Sequence, residues 1–95
     1  MRTAVITGGA AGLGADIAHR LSERGYRIGI IDLGAERVAK AAAALNDAVG
    51  IEADVSCHEQ VTAAFAAFGD PPDLLINNAG IVRFGELEAL SFEDY

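Results

Sequence analysis

A single cysteine, Cys57, leaves no internal disulfide framework and fits a reducing compartment, so a cytoplasmic location is expected. No apolar run reaches the roughly 18 residues that a membrane span needs. The opening residues Met1-Arg2-Thr3-Ala4-Val5 already read as a strand, which leaves no room for a cleaved leader. Basic residues are few, 7 against 14 acidic ones, for a formal net charge of −7. That balance argues against nucleic acid and against an anionic membrane surface as partners. The 2 prolines stand together in Asp70-Pro71-Pro72, a stop and turn too short to link domains. What remains is a chain of 95 residues, 52% hydrophobic: too apolar for disorder and long enough for one small domain.

Thr7 to Gly14 read T-G-G-A-A-G-L-G. Glycines at 8, 12 and 14 remove the side chains that would hold a dinucleotide pyrophosphate off the backbone. A helix opening at Gly12 would aim its unpaired N–H groups and positive dipole end at those phosphates. The competing use of such glycines is tight packing of helix on strand. Context favours the phosphate reading. Ala4-Val5-Ile6 ahead is an apolar run suited to a doubly buried strand. Behind, Leu13, Ile17, Ala18 and Leu21 recur at helical spacing, with Asp16, Arg20, Glu23 and Arg24 between them. Gly25 supplies a left-handed helix end, and a second apolar strand runs from Tyr26 to Ile31.

Further along, Ala35 to Leu45 is an alanine-rich helix and Ala48 to Ala53 a third strand of edge character. Ser56-Cys57-His58-Glu59 has the form of a capping box, in which the Ser56 hydroxyl and the Glu59 side chain would serve each other's backbone N–H. The helix so opened runs from Cys57 to Phe68 and stops at Gly69. Asp73 to Asn77 is a fourth strand, Gly80 to Leu90 reads as loop, and Ser91 reads as the cap of a fourth helix. Strands separated by helices imply right-handed crossovers and a parallel α/β sheet of order 3-2-1-4 with three complete helices. The first two helices then share one face and the third lies alone on the other. The outer edge of the fourth strand would be bare, which predicts an association-prone fold.

Asp32 ends the second strand about twenty residues beyond the glycine turn. A carboxylate there can accept hydrogen bonds from the adenine-ribose hydroxyls and repel a 2′-phosphate; the alternative is a cap for the next helix. No basic residue occupies Gly9 to Ala11, and Arg37 lies inside the next helix, so NAD is favoured over NADP.

T-G-x-x-x-G-x-G at 7–14, Asp32, Asp54-Val55 and the N-N-A-G run Asn77-Asn78-Ala79-Gly80 resemble, in order and spacing, the short-chain dehydrogenase/reductase family. The resemblance implies a truncated Rossmann-type doubly wound fold and hydride transfer between nicotinamide and an alcohol or carbonyl carbon. It implies cofactor contacts at Gly8, Ala10, Ala11, Gly12, Leu13 and Gly14, then at Asp32 and Leu33. Asp54 would bind the adenine amino group and the Val55 backbone the ring nitrogen, while Asn78, Ala79 and Gly80 would pass beside the adenosine ribose. It also implies a homo-oligomeric full-length form with a small alcohol or carbonyl substrate.

The family's Tyr-x-x-x-Lys, with its accompanying serine and asparagine, is absent. Tyr26 is followed four places on by Ile30, and Tyr95 is the last residue. No catalytic residue is therefore expected in this chain. His19, Cys57 and His58 lack metal-ligand spacing, so no metal site is expected either. The chain reads as the adenosine half of an NAD-dependent oxidoreductase. The alternatives are a non-catalytic NAD-binding module and a cofactor-free structural remnant.

Overall fold

A computed structural model describes residues 1–69, 71–77 and 80–83. Its elements are β1 (Thr3–Thr7), α1 (Gly12–Glu23), β2 (Arg27–Asp32), α2 (Ala35–Ala43), β3 (Ala48–Glu52), α3 (His58–Phe68), β4 (Leu74–Asn77) and β5 (Gly80–Arg83). Among the described residues the strands form one five-stranded sheet in the order β3-β2-β1-β4-β5. The first four are mutually parallel, giving the expected order 3-2-1-4.

The fifth strand corrects the sequence reading. Gly80–Arg83, expected as loop, runs antiparallel to β4 with Asn77 opposite Gly80 and Leu74 opposite Arg83. Ile81 and Val82 are β-branched, and β4 offers a row of N–H and C=O groups for the returning chain to satisfy. The sheet is mixed rather than wholly parallel. With β5 paired to it the β4 edge is not bare, and that edge gives no ground for association. The loop expected over residues 84–90 and the helix start at Ser91 lie outside the described residues.

Every position of β1 is buried, as a strand paired on both edges and covered on both faces must be. One face packs Ala4, Ile6, Ile28, Ile30 and Ile76 against Ala18 of α1 and Val38 and Ala42 of α2. The other packs Val5, Ile31 and Leu75 against Ala64 and Phe68 of α3. Right-handed crossovers thus segregate the helices as expected, two on one side and one on the other.

Helix ends follow local chemistry. At the end of α1 the Gly25 N–H donates to the Ser22 carbonyl at 3.0 Å and the Tyr26 N–H to the Leu21 carbonyl at 3.1 Å. This is the paired bonding of a Schellman end, with Gly25 at φ 89°. The capping box expected at α3 does not form. The helix begins after Cys57 with no side-chain cap, because the Ser56 hydroxyl donates instead to Asp54 Oδ1 at 2.6 Å. The helix takes Cys57 as its N-cap, which leaves Ser56 one residue outside the cap position and beside the Asp54 carboxylate.

The start of β4 is clasped to the start of β1. The Thr3 N–H donates to Asp73 Oδ2 at 2.8 Å, and the Asp73 N–H donates to the Thr3 carbonyl at 3.0 Å. Two glycines set how near the helices lie to the sheet. A Cβ on Gly29 would stand 2.7 Å from Phe68 Cδ1, so the ring of α3 rests directly on β2. A Cβ on Gly50 would collide with the Val38 carbonyl oxygen, so α2 lies with its backbone against β3. Gly50→Ala must push α2 off the sheet. We expect it to destabilise the fold by about 1–3 kcal/mol, the usual cost of overpacking, read as a lowered denaturation midpoint.

Candidate functional site

At the carboxyl end of β1 the chain turns sharply. Gly8, at φ 70°, donates its N–H to the Ile31 carbonyl at 2.8 Å and so holds the turn against the end of β2. The glycines then divide their labour. A Cβ on Gly14 would collide with the Gly8 carbonyl oxygen, which makes Gly14 the close-packing glycine of the turn. Gly12, at φ 61°, faces open space, and nothing lies within 4 Å of where its Cβ would be.

The start of α1 lacks compensation. Its N-cap residue, Ala11, makes no side-chain cap, and the first turn carries no acidic residue. The first turns of α2 and α3 carry Glu36 and Glu59 respectively. The unpaired N–H donors and the positive dipole end of α1 are therefore left for an anion at the glycine turn.

Asp32 stands beside that turn at the end of β2, its side chain 19% exposed. Its Oδ2 accepts the Ala10 N–H at 3.2 Å and its Oδ1 the Leu33 N–H at 2.8 Å. It does not cap α2, whose N-cap is Gly34. Arg37 corrects the reading that nothing basic reaches this position. Because α2 starts so soon after β2, Arg37 falls in its first turn and folds back over the strand end. Its Nη1 donates to the Leu33 carbonyl at 3.3 Å, and its Nη2 lies 3.8 Å from Asp32 Oδ2. A carboxylate has about four lone-pair sites, so Asp32 keeps acceptor capacity despite these partners.

At the end of β3, Asp54 Oδ1 accepts the Ser56 hydroxyl at 2.6 Å and the Ser56 N–H at 2.9 Å. These bonds, the hydroxyl first and the N–H second, hold the Asp54 carboxyl below the usual aspartate value against the opposing effect of desolvation. The Asp54 N–H donates to Gln60 Oε1 at 2.8 Å. The Gly34 N–H donates to Glu52 Oε2 at 2.9 Å. Gln60 and Glu52 are not found by motif spacing, since their partners, the Asp54 and Gly34 N–H groups, lie in turns.

Large apolar side chains gather in the open around these strand ends. Leu13 is 75% exposed, Leu33 55% and Val55 43%; Met1 is the other such residue among those described. From Gly9 and Ala10 a cleft of about 620 Å³ runs down between α1 and α2, past Arg37 and Lys40 to Ala41 and Leu45. Short alanine side chains on α2 keep that cleft open.

The structure thus brings together Gly8, Ala10, Ala11, Gly12, Leu13, Gly14, Asp32 and Leu33, with Asp54 and Val55 in the turn that follows β3. Asn78 and Ala79 lie outside the described residues, and Gly80 belongs to β5 opposite Asn77. No cluster of three or more metal-ligating side chains occurs among the described residues, His19, Cys57 and His58 included.

Known proteins share this arrangement. The family model for short chain dehydrogenase matches residues 2–95. D-threitol dehydrogenase of Mycolicibacterium smegmatis is 34% identical over 101 residues, covering 99% of this chain and 39% of its own. The C alpha-dehydrogenase of a Sphingobium species is 37% identical over 102 residues, covering 99% and 33%. Among solved structures, a 3-oxoacyl-[acyl-carrier protein] reductase with bound NAD from Brucella melitensis superposes with a TM-score of 0.75 at 36% identity, covering 81% of this chain and 31% of that one. The Pseudomonas aeruginosa RhlG/NADP complex gives a TM-score of 0.73 at 35% identity, covering 81% and 34%. The chain therefore spans 31 to 39% of the length of these relatives. With the family match running over nearly every residue, on a doubly wound sheet with a glycine turn at its switch point, this chain belongs to the short chain dehydrogenase family.

Proposed function

We propose that this chain is the dinucleotide-binding part of an NAD-dependent oxidoreductase that transfers hydride between nicotinamide and an alcohol or carbonyl carbon. The uncapped, acid-free start of α1 carries this reading, because it leaves a preformed anion site at the glycine turn. Gly8, Ala11, Gly12, Leu13 and Gly14 would hold the pyrophosphate. Asp32 and Leu33 would hold the adenosine ribose, and Asp54 and Val55 the adenine, with exposed Leu33 and Val55 as apolar walls. Asn78, Ala79 and Gly80 complete the proposed set. When bound, the nicotinamide supplies the hydride acceptor or donor. This chain's own residues bind and orient the adenosine end.

Ala10 acts differently, since its N–H is already given to Asp32. Its part is to fix the carboxylate over the turn. That carboxylate favours a ribose with two hydroxyls and opposes a 2′-phosphate, which supports NAD over NADP. Arg37 works against it at 3.8 Å, so the preference rests on the balance of one carboxylate and one guanidinium. The relatives' structures include both an NAD and an NADP complex, so Asp32 and Arg37 carry the proposed preference. A small alcohol or carbonyl substrate, a homo-oligomeric full-length form and a cytoplasmic location belong to the same proposal. No helix among the described residues is long and apolar enough to cross a membrane.

The non-catalytic NAD-binding module remains the second reading, favoured by one observation. β5 covers the edge of β4, so the described sheet carries its own closing strand.

Replacing Asp32 by Ala should weaken NAD binding by about 1–3 kcal/mol, the range for hydrogen bonds to a charged group. Replacing Arg37 by Ala should shift selectivity further towards NAD. Calorimetric titration of both cofactors checks both, and equal or tighter NADP binding by the unmutated chain would sink the preference.

Residues 1–95 alone should show no turnover with any alcohol or carbonyl, because no Tyr-x-x-x-Lys is present to exchange the proton. Cofactor absorbance over a broad substrate panel measures this. Sustained activity from the purified chain would mean that another residue carries the proton.

Ser56→Ala removes the larger of the two bonds that depress Asp54, so the Asp54 carboxyl should titrate at higher pH, nearer the ordinary aspartate value. The stabilisation that this depression gives is present above the ordinary value and is lost as pH falls through the lowered one. Carboxyl carbon shifts followed against pH read the change directly.

A further inference from the structure

At the end of the sheet opposite the glycine turn, where β1 and β2 begin, an opening of about 580 Å³ is lined by Met1, Arg2, Arg24, Gly25 and Tyr26. We propose that this opening binds a phosphate-group anion of the phosphate monoester kind, at a site separate from the dinucleotide cleft.

Basic residues are scarce in this chain, and three of the arginines are already engaged elsewhere. Arg20 pairs with Asp16 at 3.1 Å, and Arg37 lies 3.8 Å from Asp32. Arg27 donates to the Phe68 carbonyl at 3.2 Å and stacks 4.6 Å from that ring's centre. Arg2 and Arg24 differ. The Arg2 guanidinium lies 5.6 Å from the Tyr26 ring centre and donates to the Tyr26 hydroxyl at 3.1 Å, so its planar fork is held in one orientation by a neutral partner. Arg24 has no hydrogen bond or ion pair among the described residues.

Two guanidinium groups therefore line one opening without an ion pair among the described residues, and none of its described lining residues is a carboxylate. An anion in the opening would meet both cations. A phosphate monoester, with about −1.5 to −2 charges at pH 7, matches the pair in charge and offers oxygens suited to bidentate arginine bonds. The Tyr26 oxygen already accepts from Arg2, which leaves its own O–H to donate to a third phosphate oxygen. A chain of net charge −7 repels anions at long range, so recognition here is local, through the two guanidinium groups.

The test is a titration of the 95-residue chain with glycerol 3-phosphate at low salt, followed by amide and arginine side-chain NMR signals. The Gly25 and Tyr26 amides and the Arg2 and Arg24 side chains are expected to shift saturably. Arg24→Gln should weaken binding about tenfold, through loss of a charge-assisted bond, and Arg20→Gln should leave it unchanged. Arg2→Gln also removes the contact with Tyr26, so Arg24→Gln is the deciding variant. Shifts that do not saturate, shifts confined to residues 8–14, or an Arg24→Gln titration equal to the unmutated one overturn the proposal. A second arm uses phosphatidate vesicles to separate a lipid headgroup from a dissolved ester. Co-sedimentation that free ester competes away supports the site with a headgroup as its occupant, and co-sedimentation untouched by Arg24→Gln counts against it.

Discussion

Backbone lies directly on backbone where α1 leaves the glycine turn and where α2 crosses β3, and both contacts require a residue without a Cβ. Gly14 sits on the Gly8 carbonyl, and Gly50 sits under the Val38 carbonyl. The first contact fixes the start of α1 over the end of β1, which is what aims its unpaired donors at one place. The second draws α2 onto the edge strand. A helix held a methyl group further out would still cover the sheet, but its terminus would no longer face the turn.

Asp32 joins this packing to electrostatics. One carboxylate takes an N–H from the glycine turn and another from the residue after β2, so two loops from different strands share a single acceptor. The group that organises the turn is also the group that would meet a ribose. Structure and specificity are therefore hard to alter separately at this position. Arg37 adds a counterweight on the same carboxylate, and its 55% side-chain exposure keeps the interaction screened and modest.

The sequence made the strands and helices legible where composition was one-sided. Ala4-Val5-Ile6 and the isoleucines of β2 could only be buried strands, and Gly25 could only follow a helix. It made the site legible wherever a residue works through its own backbone, as at Gly8 and Gly12. It misled where two local patterns competed. Ser56 fits Ser-x-x-Glu, but it also stands two residues after Asp54, and the carboxylate won its hydroxyl. β5 was illegible for a different reason. Four residues, Gly80 to Arg83, carry little pattern of their own, and their state is decided by the bonding edge of β4 beside them. Arg37 was misread although the start of α2 falls at Ala35 as expected: helical spacing does not say that a side chain in the first turn folds back to the strand end just left.

The clasp between Thr3 and Asp73 has a consequence for the order in which the molecule assembles. These partners are 70 residues apart in sequence, whereas β1, β2 and β3 follow one another closely. The most buried strand of the fold therefore receives its second neighbour late. At synthesis rates of about 5–20 residues per second, Ala4-Val5-Ile6 spends some seconds with one edge unpaired before β4 emerges to close it. During that interval the nascent sheet is a three-stranded half with its core strand on the outside, the form in which this sequence is most open to pairing with the wrong chain.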